Sequence, residues 1–147
     1  FARLIPHVGS NLVECLSHAI SVEDVAGVPG RIFDIGGRIE VPAEPDFGVS
    51  EHVASVLLAV RERGMDVHAA LNIAYEPETV RMLEAEGHTV LEFAVDEESA
   101  PTVLREQVDI DPSVSVLYHR GGFGVEPNIY LVGPSASQVA EWTQPLV

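Results

Sequence analysis

Four segments of this chain carry residue types that could grip an anion or move a proton. The first is Gly30-Arg31-Ile32, followed by Gly36-Gly37-Arg38-Ile39. Glycine beside arginine lets backbone and guanidinium approach an anion together; surface arginines around a hairpin give the same pattern. The second is Phe47-Gly48-Val49-Ser50-Glu51-His52-Val53-Ala54. Ser50 stands where a helix should begin, and a helix N-terminus offers free N–H groups to an anion. His52 falls beside it and could donate to phosphate or serve as acid or base. A capped helix with a surface histidine reads the same way.

The third segment is Leu71-Asn72-Ile73-Ala74-Tyr75. Asn72 puts a donor and an acceptor side by side near the end of an apolar strand. That suits the edge of a heterocycle, or a plain strand-end hydrogen bond. The fourth runs from Tyr118-His119-Arg120-Gly121-Gly122 through Phe123-Gly124-Val125-Glu126 to Pro127-Asn128. Backbone N–H groups at Gly121, Gly122 and Gly124 could wrap an anion. No Lys-Ser/Thr follows, so it is not a Walker A loop, and it lacks the strand-to-helix setting of a dinucleotide fold. Elsewhere, His7, His18, His68 and His88 lack metal-ligand spacing. Cys15 has no partner cysteine and reads as a small buried residue. Asp96-Glu97-Glu98 reads as a solvated helix start.

These segments need elements to position them. Residues 11–16 read as a strand, and Ser21 with Asp24 opens a short capped helix. Residues 31–35 and 38–41 form a hairpin about Gly36-Gly37. Pro42, Pro45 and Asp46 make a loop. The clearest helix runs over 50–64, where Val53, Val56, Leu57 and Val60 fall on one face and Gly64 ends it. Residues 67–75 are apolar on both parities, as in a central strand. Pro77 and Glu78 begin a helix that closes at Gly87. Strands follow over 88–95, 114–118 and 128–132, with helices over 100–107 and 135–142. The alternation indicates an α/β layer architecture with some antiparallel pairing.

Composition sets the environment. The chain of 147 residues has no lysine; its eight cations are all arginine, against 23 acids, for a net charge of −15. Such repulsion weakens a compact state in dilute buffer and is screened in molar salt, so a high-salt cytoplasm is expected. The same charge speaks against gripping nucleic acid directly, which needs clustered cations. Hydrophobic residues make up 46% and mean hydropathy is +0.18, which indicates a single globular domain over 1–147. No apolar run is long enough to span a membrane, and no leader is apparent. The chain begins at Phe1 without methionine, so a preceding domain is expected.

In order and spacing, the segments resemble the ThiN family, the archaeal thiamine-phosphate synthase domain. The resemblance starts at Phe1-Ala2-Arg3-Leu4-Ile5-Pro6-His7-Val8-Gly9-Ser10-Asn11-Leu12 and continues through Pro29-Gly30-Arg31-Ile32. It takes in Ser50-Glu51-His52-Val53-Ala54 and Asn72-Ile73-Ala74-Tyr75, and ends at Arg120-Gly121 and Gly124-Val125-Glu126-Pro127. It implies a three-layer α/β/α fold with a mixed, largely antiparallel sheet, and a haloarchaeal source given the charge. Catalytic-looking members tend to read Ser-Ser-His-Val-Ala-Arg, Asn-Ile-Arg-Tyr and Gly-Lys-Glu-Pro. This chain has Ser55, Ala74 and Val125 at the three cationic positions. The resemblance therefore implies a regulatory member that senses thiamine phosphate or thiamine diphosphate for a transcriptional repressor of thiamine biosynthesis. DNA would be met only through an N-terminal module, by a cytoplasmic homodimer. The ligand would be held by Arg31, Arg38, Ser50, His52, Asn72, Arg120, Gly121, Gly122 and Gly124. No cofactor is required, save a divalent ion arriving with a diphosphate. The alternative implied is an active synthase that joins hydroxymethylpyrimidine diphosphate and thiazole phosphate, with Arg31 and His52 catalytic.

Overall fold

The computed structural model describes residues 1–95, 98–107 and 110–147. In chain order its strands are β1 (Leu12–Cys15), β2 (Val25–Gly27), β3 (Phe33–Ile35), β4 (Arg38–Glu40), β5 (Asp46–Phe47), β6 (Ala69–Ala74), β7 (Thr89–Glu92), β8 (Val114–His119) and β9 (Asn128–Gly133). The helices are α1 (His52–Glu62), α2 (Pro77–Ala85), α3 (Ala100–Arg105) and α4 (Ala136–Glu141). Short 3-10 turns lie at Ala2–Leu4, Val22–Asp24 and Gln144–Leu146. The sheet runs β5-β2-β1-β6-β9-β8-β7, antiparallel except for the β7–β8 pair. It is the mixed, largely antiparallel sheet that the sequence led us to expect.

β6 occupies the middle of the sheet because it is apolar on both faces, so each face can be covered by helices. Ala70, Tyr130, Val132 and Leu117 point toward α1 and α3, where Leu57 and Leu104 complete one core. Leu71, Ile73, Ile129 and Leu131 point the other way, toward Val80 and Leu83 of α2 and Val139 of α4. The result is three layers with an apolar core on each side of the sheet. Helix α1 buries more than its predicted stripe: Ala54, Leu58 and Ala59 are also covered, because α3 packs on its second side.

Two strands escaped the sequence reading. β2 is three residues long, and β5 is two residues that begin at Asp46, the last residue read as loop. Strands this short show no alternation to detect. The hairpin β3–β4 forms where expected, but as a separate two-stranded ribbon. Both turn glycines have positive φ, and Asp34 Oδ1 accepts from Gly37 N–H at 2.7 Å. Of the acidic run at 96–98, Asp96 and Glu97 lie outside the described residues.

α4 seats against the sheet at Gly133. A Cβ there would stand 2.8 Å from the Trp142 ring and 3.0 Å from Val139. Gly133→Ala is expected to cost about 1–3 kcal/mol by overpacking. Urea denaturation should show a lower midpoint with an unchanged slope.

Candidate functional site

On the α1 side of the sheet, the apolar rows give way to polar ones at one end of the strands. Antiparallel partners share a face, and the register sets Asn72 opposite Tyr130, and Asn128 opposite His119. Asn11, just ahead of β1, extends the Asn72 row. All five side chains are buried, so each polar atom needs a partner. Asn72 Oδ1 accepts from Asn11 N–H at 2.7 Å, and its Nδ2 donates to Gly9 O at 3.1 Å and Asn128 Oδ1 at 3.3 Å. Asn11 in turn holds Val28 through both its amide atoms, at 2.8 and 3.0 Å.

α1 begins directly over this polar end, and between them lies a cavity of about 560 Å³. No side chain caps α1, and the N–H groups of residues 51–54 have no acceptor among the described residues. They face the site as free donors. Ser50 is buried at this corner; it approaches so closely that a Cβ on Gly27 would lie 2.9 Å from its own Cβ.

His52 opens the helix, with Nε2 2.7 Å from the Tyr130 hydroxyl. Burial keeps the Tyr130 phenol protonated by pushing its pKa up. With no other acceptor for it among the described residues, the hydroxyl donates to Nε2, and the His52 proton sits on Nδ1. The His52 ring keeps an exposed edge but lies deep enough that burial lowers its pKa, with the Arg31 charge adding to the effect. At neutral pH it is an uncharged donor.

Arg31 has φ of 70°, left-handed backbone that a non-glycine residue adopts at a cost of about 1–2 kcal/mol. The turn delivers its guanidinium to the cavity, where Nη1 donates to Val8 O at 2.6 Å. That carbonyl is held in place by Glu126, whose carboxylate accepts from His7 N–H at 2.8 Å and Val8 N–H at 3.1 Å. No carboxylate pairs with Arg31 among the described residues.

The expected site residues thus divide. Arg31, Ser50, His52, Asn72 and Gly124 meet at the cavity. Arg38 lies on the exposed ribbon beside Glu40 at 3.7 Å. Arg120 pairs with Glu92 at 3.2 Å and points away, because its strand neighbour His119 takes the inward parity. Gly121 and Gly122 do not line the cavity. Gly121 supports it indirectly: its N–H donates to His119 Nδ1 at 3.1 Å, and a Cβ would strike Val125 O at 2.5 Å. Asn72 lines the wall, but both its donor hydrogens and one acceptor site are already engaged. His119, Glu126, Asn128 and Asn11 fell within segments quoted from the sequence but were given no role there, and Tyr130 lay outside them. Period-two counting from Leu117 and Val132 would have turned His119, Tyr130 and Asn128 inward. Asn11 and Glu126 stand in the segments that carry the resemblance, but no periodicity points either side chain at the site. Among the described residues no three His, Cys, Asp or Glu side chains converge on a metal position. A second, open concavity of about 470 Å³ includes Arg105, which already pairs with Glu62 at 3.4 Å.

The sequence profile described as thiamine-phosphate synthase ThiN matches residues 1–144. The chain belongs to the ThiN family. This ThiN domain is 34% identical to thiamine-phosphate synthase ThiN of Methanothermobacter thermautotrophicus, over 96% of the chain and 80% of that protein. It is 31% identical to the bifunctional thiamine biosynthesis protein ThiDN of Methanocaldococcus jannaschii, over 94% of the chain but 34% of that protein. It therefore spans about a third of the bifunctional relative. In structure it is similar to the crystallised C-terminal domain of a phosphomethylpyrimidine kinase, with TM-score 0.84 and 29% identity over 99% of this chain and 89% of that one. The relatives' names speak of synthesis; none speaks of regulation or of salt.

Two stability predictions follow from this geometry. Asn72→Ala leaves Asn11 N–H and Gly9 C=O buried without partners and should cost about 2–4 kcal/mol in denaturant melts. His119 carries the second. Burial, then the nearby His52, lowers its pKa from 6.5 to about 4. Between those values the unfolded chain binds the extra proton. Its stabilising contribution is therefore full above pH 6.5 and is lost as pH falls toward 4, by on the order of 3 kcal/mol. His52 adds loss of the same sign. His119→Asn keeps an acceptor for Gly121 N–H and should flatten the stability–pH slope in that window.

Proposed function

We propose that this ThiN domain binds thiamine phosphate or thiamine diphosphate without turning it over, as the effector-sensing part of a thiamine-gene repressor. The phosphate would sit between Arg31, the α1 N-terminus and His52. The observation that carries this reading is the cavity's charge. Arg31 is the one cationic side chain among the described lining residues, set against the carboxylates of Glu51 and Glu126, with His52 and His119 neutral around it. One arginine and a set of N–H donors suit a bound phosphate. A departing diphosphate develops far more charge and calls for several cations already in place. Val125, at a position where the resemblance would put lysine, lines this same wall.

As a sensor the domain must bind its ligand unequally in the two states of the repressor, since only differential affinity shifts an equilibrium. DNA contact would fall to an N-terminal module of a cytoplasmic homodimer, because the domain itself is strongly acidic. The same acidity supports a haloarchaeal, high-salt setting, so assays belong in molar salt, where the repulsion is screened.

A second reading is favoured by the relatives' names: an active thiamine-phosphate synthase, with Arg31 steadying the diphosphate and His52 assisting as donor. Incubation with hydroxymethylpyrimidine diphosphate and thiazole phosphate separates the two. Sustained formation of thiamine phosphate would sink the sensor reading. For binding itself, Arg31→Ala and His52→Ala should each weaken thiamine phosphate by about one to two orders of magnitude in calorimetry, through lost charge-assisted hydrogen bonds. Unchanged affinity in both would place the phosphate elsewhere.

A further inference from the structure

The inner wall of the cavity holds two buried side chains with donor atoms to spare. His119 is 1% exposed and Asn128 5%, and they sit opposite each other across the β8–β9 ladder. His119 Nδ1 accepts from Gly121 N–H at 3.1 Å, so its proton lies on Nε2. That N–H has no acceptor among the described residues. Asn128 Oδ1 takes a hydrogen from Asn72 Nδ2 at 3.3 Å, which fixes the orientation of its amide and leaves its own Nδ2 without a partner among the described residues. Ser10 Oγ and Arg63 Nε are the fully enclosed polar side-chain atoms lacking a partner there. His119 Nε2 and Asn128 Nδ2 are not among those enclosed atoms. They keep an open side, and both residues line the cavity.

We propose that His119 and Asn128 form a donor pair that selects a planar, uncharged heterocycle through an unprotonated ring nitrogen or carbonyl oxygen. This rests on the reading that the cavity binds a phosphorylated thiamine, and it assigns the ring-reading role to this pair instead of Asn72, whose amide is committed to Gly9, Asn11 and Asn128. The His119 ring packs edge-to-face with Phe93, centroids 5.4 Å apart, and against the Tyr130 ring at 6.0 Å. Both hold the imidazole in plane. Burial also keeps it neutral, so it remains a donor of fixed direction over the working pH range. A neutral donor discriminates against a ligand lacking the acceptor, because its hydrogen is then stranded in a desolvated wall. The phosphate end has Arg31 and the α1 N–H groups; the ring end has this pair. Charge and shape are thereby read at separate places in one cavity.

The test is a cycle of ligand against variant, by calorimetry in molar salt at pH 7.5. Thiamine phosphate is compared with deaza analogues in which each pyrimidine ring nitrogen is replaced in turn by C–H. Wild type should lose at least tenfold in affinity for one of the analogues. His119→Phe and Asn128→Asp should each lose at least fivefold for thiamine phosphate and show a shrunken penalty for that analogue. The analogue arm uses the wild-type fold, so it decides the matter even where a variant folds poorly. If wild type binds thiamine phosphate and every analogue alike, the donor pair is overturned and the binding reading stands. If wild type binds none of them, both are overturned.

Discussion

The carboxamide of Asn72 is the pin on which the site hangs. It joins three strands and a loop at the one place where the central strand stops being apolar. Its oxygen fixes the start of β1 through Asn11, and its nitrogen fixes Gly9 and the head of β9 through Asn128. Asn11 passes the constraint to Val28, three residues ahead of the strained Arg31. The loop at Val8 then meets the Arg31 guanidinium. A buried amide that has found its partners is rigid, because any rotation strands a hydrogen in a medium without water. The site inherits that rigidity from the sheet.

The arginines show how an acidic chain distributes few cations. Arg38, Arg81, Arg105 and Arg120 sit in exposed ion pairs. Such pairs contribute little individually. Arg3, Arg61 and Arg63 donate to backbone carbonyls at Leu146, Val67, Ser17 and Gln107. Arg31 combines what none of these does: it lines the cavity at the α1 N-terminus, no carboxylate pairs with it among the described residues, and its backbone is held in an unfavourable region. A glycine at that position would relax the turn and lose the charge.

The elements were legible where a period persisted long enough. α1, β6 and the hairpin glycines announced themselves through spacing, punctuation and apolar runs. β2 and β5 did not, since two or three residues hold no period and their pairing is decided by distant partners. The site was legible in part for a related reason. Residue type flagged Arg31, Arg38 and Arg120 equally, and what separates them is strand parity and the partners Glu40 and Glu92. Glu92 lies far along the chain from Arg120, on another strand. Asn72 was flagged for the edge of a heterocycle, whereas its amide is bonded to Asn11, Gly9 and Asn128. His119 and Asn128 keep side-chain donors without a partner among the described residues; strand parity turns both inward, but only the β8–β9 register sets them opposite each other.

The first residues of the chain run between the two faces of the sheet. Leu4 packs in the core beneath α2 and α4, and Arg3 is tied to Leu146 at the far terminus. Within a few residues the same backbone reaches the opposite side, where Val8 and Gly9 form part of the cavity wall under the grip of Glu126, Arg31 and Asn72. The segment thus joins the cavity wall to the core on the far face through a few residues of continuous backbone. The wall on one face and the core on the other therefore share one short stretch of backbone, so a substitution at Leu4 bears on both.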